Sequence, residues 1–120
     1  MGLLDRLLGG GVASVDAREA REAIDDGAVM IDVRTTREWN AGHAPFATHV
    51  PMDQLDRKLS RISKAKKVVV VCRSGSRSRM ACRQLSSAGY DVLNLSGGLR
   101  SWERAGLPVV DQRGRPGAVA

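Results

Sequence analysis

At 120 residues, with 42% hydrophobic and 27% charged side chains, the chain suits one soluble domain with a single core and is too short for two. Nineteen basic residues stand against thirteen acidic ones, a net charge of +6. No aromatic residues interleave with the basic ones as base-stacking surfaces require, so no nucleic-acid partner is expected. A small anionic substrate suits the charge equally well.

No apolar run approaches the length of a membrane span. The opening "MGLLDRLLGGG" has no basic leading region and carries Asp5 within its apolar part, so it does not read as a secretory signal. Cys72 and Cys82 are therefore expected as reduced thiols in a cytoplasmic protein. Leu3, Leu4, Leu7 and Leu8 fall at helical spacing before a glycine hinge. Residues 1–13 read as a leader, either a short docking helix or a weakly packed end.

Beyond the leader, "SVDAREAREAIDDG" predicts a short extended piece, an Asp16 cap and a helix stopping at Gly27. "AVMIDVR" lacks alternation and predicts a strand buried on both faces. "TREWNAGH" predicts a short helix ending at Gly42, and "THVP" a brief extended piece. Leu55, Leu59 and Ile62 in "MDQLDRKLSRI" predict an amphipathic helix. "KVVVVC" predicts a fully buried strand, "SRSRMACRQLSSAGY" a helix to Gly89, "DVLNL" a strand and "GGLRSWERAG" a last helix. Alternation of this kind implies an α/β domain over residues 14–110: a mostly parallel sheet of about five strands, with helices on both faces. The Gly/Pro-rich residues 111–120 read as a flexible tail. In such sheets ligands bind beyond the carboxyl ends of the strands, where Cys72 lies.

"CRSGSR" joins a buried strand to a helix, so its amides and the helix's first N–H groups can face one point. Gly75 permits a left-handed backbone there. Arg73 and Arg77 add charge, and Ser74, Ser76 and Ser78 add hydroxyl donors. All of these favour thiolate over thiol at Cys72, which predicts a nucleophile in an anion cradle. Cys82, on the helix with Met80, Ala81 and Leu85, reads as a core residue, with a resolving thiol as the alternative. Two cysteines ten residues apart and two histidines match no zinc spacing, so no metal is expected. A tyrosine phosphatase loop places arginine six residues after its cysteine, where this chain has Ser78. The smaller loop suits a single bound sulfur better than a phosphate, which argues against a phosphatase or arsenate reductase.

"IDVRTTREWNAGH", "CRSGSRS", "NLSGGLRSW" and "AGLPV" together, in this order, resemble the rhodanese family of sulfurtransferases. The resemblance implies a rhodanese-like fold and a thiosulfate sulfurtransferase. Cys72 would be catalytic, taking sulfane sulfur from a donor such as thiosulfate. The amides of Arg73 through Ser78 would hold the persulfide, with Arg73 and Arg77 binding the donor's anionic group. The acceptor would be cyanide, a thiol or a partner protein; no cofactor and a monomer or weak dimer are implied. Asp32, Arg34 and Glu38 read as scaffold, with Glu38 within ion-pair reach of Arg34. A charged wall at the substrate mouth is the alternative. A loop-tethering hydrogen bond is expected of His43. Trp39 and Trp102 are expected to pack, and Gly97-Gly98 to make a tight turn rather than a phosphate loop. Phe46 stands where the family usually has glycine, so it is expected to pack differently or to project at the surface.

Overall fold

A computed structural model describes residues 12–120. The leucine-rich leader expected over residues 1–13 lies almost wholly outside the described residues. The elements that follow are β1 (Ser14–Val15), α1 (Ala17–Asp25), β2 (Val29–Asp32), α2 (Thr36–Ala41), β3 (Thr48–His49), α3 (Leu55–Lys58), β4 (Val68–Val71), α4 (Ser76–Ser87), β5 (Val92–Leu95) and α5 (Gly98–Arg104). All five strands are parallel, in the order β1-β5-β4-β2-β3. Among the described residues no helix is long and apolar enough to cross a membrane.

The valine run forms the centre strand because both of its faces are covered. Val68, Val70 and Cys72 join Ala81, Cys82 and Leu85 of α4 and Leu55 of α3 in one cluster. Val69 and Val71 point the other way, toward Ala17 and Ala20 of α1 and Leu99 and Trp102 of α5. All four valines are fully buried. Each is worth about 1.5–3 kcal/mol relative to an exposed side chain, which is why a run without polar alternation folds as a strand here.

Two capping boxes start the helices flanking β2. Asp16 accepts from Glu19 N while Glu19 returns a carboxylate to the Asp16 amide, and Thr35 and Glu38 do the same for α2. Each cap contributes about 1 kcal/mol. The amphipathic helix expected over residues 52–62 is instead broken into a 3₁₀ turn (Met52–Gln54), the single turn of α3 and a second 3₁₀ turn (Leu59–Arg61). No side chain caps any of the three. The Leu59 carbonyl accepts from Tyr90 Oη at 2.6 Å and from the Ile62 amide, which closes the segment early.

The connection after β2 runs outward to β3, and that after β4 runs the opposite way to β5. The carboxyl ends of β2 and β4 therefore flank a switch point, where a crevice opens. The final ten residues do not hang free. Ala118 N donates to Ala41 O, Gly117 N to Val109 O and Asp111 N to Arg115 O, so the segment lies along α2 and the 107–110 stretch. The expected flexible tail is corrected accordingly: Gly117 and Gly42 let backbones meet where a Cβ would collide, at 2.8 Å from Ala41 O and 2.3 Å from Ala118 O.

Candidate active site

Cys72 is fully buried at the end of β4, and the chain then turns over its sulfur. Gly75, at φ +111°, brings its amide to 3.0 Å from Sγ, and Ser78 Oγ lies 3.4 Å away. Burial, the largest single influence, pushes the thiol up. The Ser78 hydroxyl and the amides of Ser78, Gly75 and Ser74 act against it, and the balance lies below the ordinary thiol value. The direction is the expected one, but its main sources are narrower: backbone amides and the Ser78 hydroxyl, with the Arg77 charge adding its attraction.

The remaining loop residues divide. Ser78 is fully buried, whereas Ser74 and Ser76 are exposed and reach the sulfur with no hydroxyl bond among the described residues. Arg73 is exposed, and its Nε donates to Ala120 O at 2.7 Å. Arg77 crosses the crevice from α4 to α2. Its Nη1 and Nη2 grip Glu38 Oε1 and Oε2 at 2.7 and 2.8 Å, a two-point fork. Glu38 thus pairs with Arg77 and not with Arg34. Arg34 turns inward to Asp32, with Nη2–Oδ2 at 2.8 Å and Nε–Oδ1 at 2.9 Å, and both side chains are wholly buried. Its Nη2 also donates to Gly42 O at 2.6 Å. The scaffold reading of these residues therefore has different partners from those expected.

The fork holds the Glu38 carboxyl well down, at about 2 against an ordinary 4.5, with the Arg77 hydrogen bonds the main cause. A depressed carboxylate contributes its stability in full above the ordinary value and loses it as pH falls toward the folded value. Stability assigned to this pair should accordingly fade from about pH 4.5 down to about 2. Glu38→Gln should abolish that segment of the acid-unfolding curve. The pair is partly exposed, so the cost near neutral pH should stay under about 1 kcal/mol. Urea unfolding across this pH range, with and without the substitution, checks both.

A groove of about 310 Å³ opens on the β2 side, lined by Val33, Thr35, Pro51, Met52, Gln54 and Arg77. A second, of about 500 Å³, lies beyond the loop against Ser74, Ser76, Arg79, Met80 and Asn94. The cradle is supported from below by α5, whose Leu99 and Arg100 amides donate to Cys72 O (2.8 Å) and Arg73 O (3.2 Å). Gly97 and Gly98 make that approach as a turn, at φ +75° and +63°. Asn94 of β5 touches both Gly75 and Ser78. Sequence reasoning passed over Asn94, although a polar residue inside an otherwise apolar strand is a signal it could have used.

The other expectations resolve simply. Cys82 is buried in the same cluster as Cys72, and burial together with a nearby Cys72 charge pushes its thiol up to about 12. His43 Nδ1 lies 2.7 Å from Trp39 O, a tether of the expected kind, and its ring stacks on Trp39 at 3.6 Å. His49 Nε2 donates to Arg34 O at 2.7 Å. Trp102 is fully buried and donates to Pro108 O. Phe46 projects, 40% exposed, with Arg21 over its ring and Trp102 edge-on at 5.7 Å.

Comparison with known proteins agrees with this architecture. The chain is similar to a sulfurtransferase of Allochromatium vinosum, 39% identical over 106 residues that cover 86% of this chain and 99% of that protein. A thiosulfate sulfurtransferase of Actinobacillus pleuropneumoniae serotype 3 is 32% identical over 97 residues, covering 79% of this chain and 90% of that protein. The crystal structure of a rhodanese-related protein from Thermoplasma volcanium superposes with a TM-score of 0.76 at 32% identity, covering 82% of this chain and 97% of that one. The family model described as the rhodanese-like domain matches residues 16–105, and the chain belongs to that family.

Proposed function

We propose that this protein is a sulfurtransferase that carries a sulfane sulfur as a persulfide on Cys72. One observation supports the reading above the rest: a buried sulfur at a strand end, 3.0 Å from the Gly75 amide, with its thiol pulled below the ordinary value. The names of the related proteins, sulfurtransferase and thiosulfate sulfurtransferase, support the same class.

The chemistry is covalent and proceeds by two displacements. The Cys72 thiolate attacks the outer sulfur of a donor such as thiosulfate. A new S–S bond forms, the donor's S–S bond breaks, and its electron pair departs on sulfite. The outer sulfur of the persulfide then faces a second nucleophile, cyanide or a thiolate, which takes it and returns the Cys72 thiolate. Inward amides of Ser74, Gly75 and Ser78 offset the negative charge throughout without needing to reorganise. Arg73 is the exposed guanidinium nearest in sequence to the thiol; only its Nε is held, by Ala120 O, whereas both terminal nitrogens of Arg77 are engaged by Glu38, so Arg73 is the better placed of the two for an incoming anion.

Incubation with thiosulfate should add the mass of one sulfur to the intact protein. Cys72→Ser should abolish the gain, and Cys82→Ser should keep it. Absence of any gain with thiosulfate and other sulfane donors would overturn the proposal. Faster sulfur transfer to a protein thiol than to cyanide would identify a relay to a partner protein. Turnover of an aryl phosphate would favour the phosphatase reading, against which the short loop from Cys72 to Arg77 already counts.

A further inference from the structure

Beneath the cradle lies a three-way junction that the sulfur-transfer reading leaves unused. Ser78 Oγ has one proton and three acceptors within reach: Cys72 Sγ at 3.4 Å, Gly75 O at 3.1 Å and Asn94 Oδ1, the closest of the three. Asn94 is 1% exposed and Ser78 0%, so water does not settle the competition. The orientation of the Asn94 amide does. Gly75 O is an acceptor only, and Asn94 Nδ2 donates to it at 3.2 Å. With Nδ2 committed there, Oδ1 must face Ser78. Two oxygens in hydrogen-bond contact need a proton between them, and the Ser78 hydroxyl is the donor to Oδ1 among the described residues.

We propose that Asn94 is a positioning residue that fixes the direction of the Ser78 hydroxyl, holding its proton away from Cys72. This rests on the reading of Cys72 as the working thiol. While the thiol is protonated the Ser78 lone pairs face the sulfur, ready to accept from the S–H group. When that S–H bond breaks and its proton goes to a solvent base, the Ser78 O–H must rotate onto Sγ to serve the thiolate. The O–H bond stays intact, but Asn94 Oδ1 is then left buried without a donor. The carboxamide thus limits how far the Ser78 hydroxyl lowers the thiol, without reversing that effect, while its Nδ2 keeps Gly75, and so the Gly75 amide, in place.

Among the described residues, Cys82 and Arg77 of α4 act electrostatically on this sulfur, and Arg79 of the same helix acts on Cys82. Asp32, at the end of β2, bears on Arg77 and is compensated by Arg34. None is altered in the test. The rate of Cys72 alkylation by iodoacetamide is followed against pH, with the site assigned by peptide mass spectrometry and folding checked by thermal melting. Asn94→Leu should free the hydroxyl and move the midpoint down by about half to one pH unit. In a Ser78→Ala background the same substitution should move it by no more than about 0.2 units, because the proton it would release is gone. Should Asn94→Leu fail to fold, Asn94→Ala gives the same readout. An unchanged or raised midpoint overturns the proposal, as does an equal downward shift in the Ser78→Ala background. The alkylation profile needs no sulfur donor. A shifted midpoint in a protein that gains no sulfur upholds the control of Ser78 while the functional reading fails; sulfur loading with an unmoved midpoint does the reverse.

Discussion

Arg34→Leu is expected to destabilise the fold by about 3–5 kcal/mol, enough to leave a domain of ordinary stability marginal. The Asp32 and Arg34 side chains have no exposure at all, and the guanidinium makes both of the carboxylate's closest contacts. Removing it leaves a charge stranded between β2 and α2, with water excluded. The same guanidinium ties β2 to the end of α2 through Gly42 O, so the helix carrying Glu38 should loosen as well. Urea unfolding measures the loss. The cause is separable, because Asp32→Leu combined with Arg34→Leu removes both charges and should recover much of the stability. A single substitution costing under about 1 kcal/mol would show that the pair is not what holds this corner.

Gly98→Ala should remove sulfur loading at Cys72 and cost about 3 kcal/mol, from a positive-φ penalty added to overpacking. A Cβ at this position would sit 2.4 Å from Arg73 O and 2.6 Å from Cys72 O, and neither is a flexible side chain that could step aside. The loop or the start of α5 must move, and the two are joined by the Leu99–Cys72 and Arg100–Arg73 hydrogen bonds. Gly106→Ala is the comparison. It also has positive φ, at +78°, but a Cβ there meets nothing within 4 Å, so only the backbone penalty of about 1 kcal/mol should appear, with loading intact. Equal loading in both variants would separate the α5 turn from the chemistry.

The strand carrying the thiol and the turn above it were legible because their signals are local. Four consecutive valines have no place except between two covered faces, and "CRSGSR" supplies a positive-φ glycine and amides within a few residues of Cys72. Contacts across the sequence were not legible. The nearest-neighbour rule on a helix favoured Arg34 for Glu38, whereas its partner Arg77 is 39 residues away and is brought near only by the adjacency of β2 and β4. Asn94 and the α5 amides come from β5 and the turn after it, brought beside the thiol by the pairing of β5 with β4. The last ten residues misled through composition, since glycines that suggest looseness in a sequence also allow the tight backbone contacts seen at Gly117 and Gly42.

The valine strand has one more property, which concerns number rather than burial. Its side chains alternate, with Val68, Val70 and Cys72 on the α3/α4 side and Val69 and Val71 on the Trp102 side. The thiol's side of the sheet is therefore a matter of parity. One valine more or fewer, with the pairing to β2 kept, would carry Cys72 through the sheet and set its sulfur against Leu99 and Trp102, out of reach of the Gly75 amide. Substitution among these aliphatic positions preserves the reactive group; changing their count relocates it.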